Sequence, residues 1–221
     1  MELDSLSTLI ALTLGVGWAS GINLYAAVLA LGLAGTTGYA DLPTGLEVVE
    51  NPFIIAAAGV MYLVEFCADK IPGVDSGWDA LHTFIRLPAG ALLASGIVGD
   101  QDPVMEALAG LAGGGLAAST HAAKAGGRAL INTSPEPFSN WAASITDIGV
   151  FGGVWLMLNY PWVFVGCLLI FVLLLIWLLP KIWSAIQHRF KKMGAFFGSA
   201  KPESLQDDTS NQQAVLLNKP N

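Results

Sequence analysis

Residues 163–179, VFVGCLLIFVLLLIWLL, form an almost uninterrupted apolar stretch that decides the class of fold. A helix needs about 20 apolar residues to cross the hydrocarbon core of a bilayer, and this stretch approaches that length. Over the whole chain, hydrophobic residues make up 54% and charged residues only 12%, which is below the charged share of ordinary soluble domains. With a mean hydropathy of +0.60, the sequence predicts a membrane protein.

Other apolar stretches of similar length recur towards the N-terminus. The candidate spans are residues 6–33, 52–68, 78–98, 104–131, 141–158 and 162–179. They predict an all-α fold, a polytopic transmembrane helical bundle with about six spans. Residues 1–193 are predicted to form the transmembrane helical domain. Residues 194–221, which are rich in Gln, Asn, Asp and Ser, are predicted to form a disordered cytoplasmic tail.

The distribution of Lys and Arg predicts the orientation of the bundle. With an even number of spans, the connections at 36–51, 99–103 and 159–161 share one face, and none contains Lys or Arg. The basic residues near the other face are Lys70, Lys124, Arg128, Lys181, Arg189, Lys191 and Lys192. Because Lys and Arg are enriched on the cytoplasmic side, we expect both termini in the cytoplasm.

Composition also limits the partners. The formal net charge of −7 argues against nucleic acid as a partner. The lipid bilayer is the expected partner, and the sequence is also compatible with a homo-oligomer. Cys67 and Cys167 lie in apolar stretches without metal-ligand spacing, and we predict that both are core residues. The sequence gives no reason to expect a cofactor or a metal centre.

Ionisable residues interrupt the apolar pattern in two predicted hairpins. They are Glu65, Asp69, Asp79, His82 and Arg86 in the first hairpin, and His121, Lys124, Arg128 and Asp147 in the second. A charge inside the hydrocarbon region costs about 2.5 to 3.5 kcal/mol on insertion scales, so such groups usually face a protein interior or a wet cavity. We therefore predict that these side chains form a site for a small ion or polar solute.

The spacing of these residues supports one shared site. Asp79, His82 and Arg86 lie on one stripe of a helix, and Glu65 and Asp69 lie on one stripe of the preceding helix. The short turn between the helices brings the two stripes together. The acidic first hairpin would then face the basic residues of the second.

The two hairpins also resemble each other. Pro72, Ser76, Trp78, Ala80, Thr83, Ile85 and Gly90 recur at one constant offset as Pro135, Ser139, Trp141, Ala143, Thr146, Ile148 and Gly153. This pattern predicts two similar helical hairpins that enter from the same face.

The first apolar stretch contains residues 15–23, GVGWASGIN, which are unusual for the middle of a span. Gly17, Gly21 and Asn23 predict a broken helix whose free backbone groups line a cavity. Close helix packing through Gly17-x-x-x-Gly21 is the other interpretation, because small residues let backbones approach.

Three functions are compatible with the charged residues. The first is a transporter or channel for a small ion or polar solute. The second is a membrane scaffold or assembly protein whose buried charges are structural. An enzyme is less expected, because HExxH, GxSxG and a phosphate-binding glycine loop are missing from the sequence, and no catalytic residue is assigned.

Several short motifs carry a resemblance to a known family. Residues 21–25 (GINLY), 65–72 (EFCADKIP), 124–128 (KAGGR) and 134–137 (SPEP) resemble the bacterial membrane family catalogued as domain of unknown function 4126. The resemblance covers roughly residues 6–158, and the chain after residue 180 lies outside it. It implies a multi-helix protein of the bacterial inner membrane and supplies no activity or residue roles.

Overall fold

A computed structural model describes residues 6–71, 73–99, 102–131 and 137–198, which contain helices and loops but no strand. The helices are α1 (Leu6–Thr36), α2 (Pro52–Ala68), α3 (Val74–Val98), α4 (Pro103–Ile131), α5 (Pro137–Asn159) and α6 (Pro161–Gly198). The predicted all-α fold is confirmed, and each predicted span lies on one of these helices. A short 3-10 helix, Thr44–Glu50, which the apolar pattern did not predict, lies between α1 and α2.

Local sequence explains where the helices begin and end. Asn51 caps α2, because its side chain accepts a hydrogen bond of 2.9 Å from the Phe53 amide. Gly73, with φ of 90°, precedes α3, and Gly99, with φ of 54°, follows it. Proline opens α2, α4, α5 and α6, where its missing amide hydrogen costs nothing. The first residues of α3 and α5 are separated by the same number of residues as Pro72 and Pro135.

Helix α1 lies at the centre of the bundle and packs against α2, α3, α4 and α5. Trp18 also reaches α6, where its ring lies edge-on to Phe164 with centroids 5.8 Å apart. Gly17 allows close approach to α4, since a Cβ there would lie 2.5 Å from the carbonyl oxygen of Gly113. A central helix in this position can carry polar groups that contact protein instead of lipid.

The outer surface of the bundle is apolar. Large exposed side chains include Phe53 on α2, Phe84 on α3 and Leu173 on α6. Contiguous apolar surface of this kind is typical of contact with lipid or another protein. Three helical segments, Leu6–Thr36, Val74–Val98 and Pro161–His188, are long and apolar enough to cross a membrane, and a fourth candidate combines Thr44–Glu50 with Pro52–Ala68 across a 65° bend. The chain is a helical membrane protein.

The prediction that Cys67 and Cys167 are core residues is wrong. Both thiols are exposed on the outside of the bundle. In a membrane protein, lipid-facing positions are as apolar as core positions, so an apolar neighbourhood in the sequence does not indicate burial.

The structure divides into two compact units, Met1–Trp183 and Ser184–Asn221. All of the candidate site residues belong to the first unit. The predicted disordered tail includes residues 199–221, which lie outside the described residues, and the boundary at residue 193 stays a prediction.

Candidate functional site

Seven of the predicted residues meet inside the bundle, and we name this group the charged cluster. It consists of Glu65, Asp69, Asp79, Arg86, Lys124, Arg128 and Asp147. These residues come from α2 and the turn after it, α3, α4 and α5. None of their side chains is more than 5% exposed, so the ion pairs between them are shielded from solvent.

Two guanidinium groups tie the acidic residues together. Arg128 binds both carboxylate oxygens of Asp69 and lies 3.3 Å from Asp79 Oδ2. Arg86 donates a hydrogen bond to Glu65, and its Nη1 lies 3.2 Å from Asp79 Oδ1. Asp79 therefore bridges the two arginines, and the predicted convergence of the two hairpins is present in the structure.

Lys124 lies at the meeting point of the remaining groups. Its Nζ donates to the carbonyl oxygen of Ile22, at 2.7 Å, and to Glu65 Oε1, at 2.9 Å. The same nitrogen lies 2.7 Å from Asp147 Oδ1 and 3.6 Å from Asp69 Oδ2. The ammonium group is thus surrounded by oxygen atoms from α1, α2, the following turn and α5.

The carbonyl of Ile22 is available because α1 is interrupted at the next residue. Asn23 has non-helical angles, φ of −152° and ψ of 101°. Its Oδ1 accepts a hydrogen bond of 2.9 Å from the Ala26 amide, as an N-cap does. In a continuous helix the Ala26 amide would donate to Ile22, so the cap leaves that carbonyl to Lys124.

Gly17 and Gly21, the other residues of the predicted break, keep helical angles. They lie where α1 meets α4, and a side chain at Gly21 would collide with Thr120 and the backbone of Ala117. The interruption is therefore located at Asn23, while the two glycines provide the close contact between helices that was the other interpretation.

His121 lies against the charged cluster as a neutral ring. Arg86 Nη1 lies 3.0 Å from His121 Nδ1, and a guanidinium group can only donate, so Nδ1 accepts. The proton is then on Nε2, which donates to Thr83 Oγ1 at 2.7 Å. The Thr83 hydroxyl in turn donates to the carbonyl oxygen of Asp79. This chain of hydrogen bonds fixes the tautomer, and His121 adds no charge.

His82 lies at the edge of the site and forms none of the ion pairs seen among the described residues. Its Nδ1 lies 2.8 Å from the carbonyl oxygen of Trp78, to which it donates. In the neutral ring, Nε2 accepts from the hydroxyl of Tyr25, 2.9 Å away. The ring of Trp78 stacks on His82 with centroids 4.3 Å apart. Tyr25 was not predicted as a site residue, although its position two residues after Asn23 places it beside the predicted helix break.

The charged cluster has one more acidic side chain than it has basic side chains. It contains four carboxylates and three cationic side chains. Glu65 Oε2 and both carboxylate oxygens of Asp147 have no hydrogen-bond donor among the described residues. The contact of 2.7 Å between Lys124 and Asp147 is an ion pair without hydrogen-bond geometry. Arg86 Nε and Arg128 Nε have no acceptor among the same residues, and a buried polar atom without a partner is costly. Glu65 Oε2 is the oxygen atom at which the charged cluster can contact a further cation.

A cavity of about 280 Å³ adjoins the charged cluster. Its lining includes the charged residues Lys124 and Arg128, two threonines, and the apolar residues Phe171, Leu175 and Leu178 of α6. Gly127 also lines it, and a Cβ at that position would meet nothing within 4 Å. The cavity therefore offers room for a solute or for movement of a long side chain.

The candidate metal-binding groups within the described part of the chain are carboxylates. One oxygen from each of Glu65, Asp69 and Asp147 lies within 4.8 Å of the others. Carboxylate oxygens are preferred by hard cations such as Ca²⁺ and Mg²⁺. The Lys124 ammonium contacts all three of these carboxylates.

Comparison with known proteins places the chain in a family. No curated protein and no solved structure matches this chain. A family model described as a domain of unknown function, DUF4126, matches residues 10–181. The match continues beyond the predicted limit at residue 158 and includes the apolar part of α6. The expected resemblance is thereby confirmed, and the chain belongs to the DUF4126 family.

Proposed function

We propose that this protein is a transporter or channel for a small ion or polar solute, and that the charged cluster is its binding site. The interruption of α1 carries the proposal. Asn23 diverts the Ala26 amide and leaves the Ile22 carbonyl to Lys124 in the charged cluster. Non-helical backbone at membrane depth is tolerated where it is buried in protein or lines a cavity, and broken helices are a feature of transporter binding sites.

The cost of the charged cluster supports a functional role. Burying two ions removes their hydration, and the attraction between them often fails to offset that loss. A bundle that needed only stability would be served as well by apolar side chains. The Glu65 oxygen without a donor and the adjoining cavity are also features that a purely structural set of ion pairs does not need.

We also propose that the protein resides in a bacterial inner membrane with both termini in the cytoplasm. The family resemblance and the absence of Lys and Arg from the connections at 36–51, 99–103 and 159–161 support this orientation. The charged cluster would then open towards the cytoplasmic half of the membrane, because Asp69 and Arg128 lie near the cytoplasmic ends of their segments.

A scaffold or assembly protein is the second candidate, and one observation favours it. Arg128 binds Asp69 through two nitrogen atoms and also contacts Asp79, so α4 is held in one register against α3 and the turn after α2. Buried polar groups have such a role in some proteins, where they specify one arrangement of helices.

A flux assay in proteoliposomes distinguishes the two candidates. Purified protein is reconstituted, and the flux of protons, cations and anions is followed under pH and ion gradients. The variants are Glu65→Gln, Asp79→Asn and Arg128→Gln, and Glu106→Gln is the matched control because Glu106 is an exposed residue of α4. We expect flux in the parent and the control, and its loss in Glu65→Gln without loss of the folded bundle.

The opposite result supports the scaffold. If the folded parent carries none of the tested ions, or if flux is unchanged in all three variants, the charged cluster is not a transport site. Equal amounts of each variant are reconstituted, and size-exclusion chromatography and thermal unfolding in detergent check that each variant is folded. A loss of folding is then not mistaken for a loss of transport.

A further inference from the structure

Lys124 marks a position where a positive charge is surrounded by oxygen atoms. Its Nζ lies 2.7 Å from the Ile22 carbonyl oxygen, 2.7 Å from Asp147 Oδ1 and 2.9 Å from Glu65 Oε1. Carbonyl and carboxylate oxygens are the ligands that hard inorganic cations prefer. The shell around the ammonium group therefore has the composition of a cation site.

We propose that the solute of this protein is a small inorganic cation, and that it binds by displacing the Lys124 ammonium group from this oxygen shell. The inference rests on the transport function proposed above and specifies its substrate class. It assigns Lys124 the role of a tethered cation that occupies the site between binding events.

A buried oxygen atom without a hydrogen-bond donor supports the presence of a ligand. This observation is additional to the grouping of acidic residues. Glu65 is fully buried, yet its Oε2 has no hydrogen-bond donor in the described part of the chain. The carboxylate of Asp147 is equally buried, and its two oxygen atoms contact Lys124 at 2.7 Å and Arg128 at 3.6 Å. A metal cation satisfies several oxygen atoms at once, without the directional requirement of N–H donors.

The charge balance favours a cation over an anion. The charged cluster has four acidic side chains and three cationic ones, and each cationic side chain already contacts at least two of the acidic ones, so an entering anion finds no unpaired cationic group. The terminal nitrogens of Arg128 are already directed to Asp69 and Asp79. Exchange of the ammonium group for a monovalent cation leaves the charge of the oxygen shell unchanged.

The structure also provides a place for the displaced side chain. Lysine carries its charge on a flexible four-carbon chain. Lys124 lines the cavity of about 280 Å³, and Gly127, one turn further along α4, leaves that space open. The ammonium group can leave the oxygen shell for this cavity while the helix stays in place.

Direct cation binding to the purified full chain tests the inference. Equilibrium binding of ²²Na⁺, ⁸⁶Rb⁺ and ⁴⁵Ca²⁺ is measured in detergent for the parent, Lys124→Met and Lys124→Met with Asp147→Asn. Removal of the competing ammonium group should tighten binding of at least one of these ions about tenfold or more, equivalent to about 1.4 kcal/mol. Loss of the Asp147 ligand should reverse that gain.

A second pair of variants keeps Lys124 and changes only the space beside it. Gly127→Phe should fill the cavity and weaken cation binding, because the ammonium group can no longer leave. Gly115→Phe is the matched control, since Gly115 also lies on α4 with open space around it but lines a different cavity. Equal binding in the two variants would contradict the displacement.

The outcomes separate this inference from the proposed function. If folded Lys124→Met binds none of the three ions and Gly127→Phe behaves like Gly115→Phe, the cation inference is overturned, although flux that needs Glu65 would still establish transport. If Lys124→Met binds a cation but the parent carries no flux, the cation site is established and the transport function fails.

Discussion

The first and last helices differ more than their shared apolar character suggests. Helix α6 contains the most apolar segment of the chain, and only 17% of its most apolar 18 residues are buried inside the bundle. In α1, 67% of the most apolar 18 residues are buried, and this helix contains the interruption at Asn23. The more polar of the two helices is therefore the one that lies inside.

This difference follows from what surrounds each helix. Lipid cannot form hydrogen bonds, so a lipid-facing helix must satisfy every backbone group internally. Helix α1 is enclosed by other helices, and the carbonyl that Asn23 frees is satisfied by Lys124 of α4. Apolarity thus indicates that a helix lies in a membrane, whereas polar interruptions indicate that protein surrounds it.

The largest expected effect concerns the charges around α1. Arg128→Gln removes the two-atom contact with Asp69 and one of the two arginine contacts of Asp79, and we expect the free energy of unfolding to fall by about 3 to 5 kcal/mol. Lys181→Gln on α6 should cost less than about 1 kcal/mol, because Lys181 is exposed and its main contact is with the Trp177 ring.

Unfolding of both variants in mixed detergent micelles measures this contrast. The double variant Arg128→Gln with Asp69→Asn should recover part of the loss, since it also removes the unpaired charge. A loss below about 1 kcal/mol for Arg128→Gln alone would show that the ion pairs contribute little to the bundle.

A smaller contrast comes from two glycines. Gly17→Ala places a Cβ 2.5 Å from the Gly113 carbonyl oxygen, so α1 and α4 must move apart at a cost of about 1 to 3 kcal/mol. Gly166→Ala on α6 meets nothing within 4 Å and should stabilise the helix by up to about 1 kcal/mol. Thermal unfolding in detergent should therefore show shifts of opposite sign. Shifts of the same sign would contradict the central position of α1.

The smallest expected effect is at the interruption itself. Asn23→Ala removes the oxygen that caps the second half of α1 and should reduce the free energy of unfolding by about 0.5 to 2 kcal/mol. Asn23→Ser, which keeps a capping oxygen, should lose less. Leu173→Ala on α6 is the control, because Leu173 is 66% exposed and surface changes stay within about 0.5 kcal/mol. The free energies of unfolding are measured in detergent. A loss for Asn23→Ala no larger than that for Leu173→Ala would exclude a capping role.

Sequence reasoning predicted the helices of this protein well. The apolar stretches predicted where the six helices lie, and the second predicted stretch begins at the first residue of α2, Pro52. The same reasoning failed for Cys67 and Cys167, because a bilayer makes both sides of a helix apolar and removes the periodicity that separates core from surface in soluble proteins.

For the candidate site, the spacing of ionisable residues predicted which side chains lie near each other. It did not predict that His82 would pair with Tyr25 instead of joining the ion pairs, since either contact satisfies an imidazole ring. It also did not distinguish Asn23 from Gly17 and Gly21 as the point of interruption. That choice depends on which backbone amide the side chain can reach.

Residue composition and order were enough to predict the membrane environment, the helical class and the set of charges that must be kept away from lipid. These follow from hydropathy and from the energetic cost of burying an ion, and they do not depend on packing. The folded bundle adds the contact of Lys124 with the Ile22 carbonyl, between residues 102 positions apart, and the enclosure of α1 but not of α6. Such contacts depend on how the helices are arranged around each other, which local sequence does not specify.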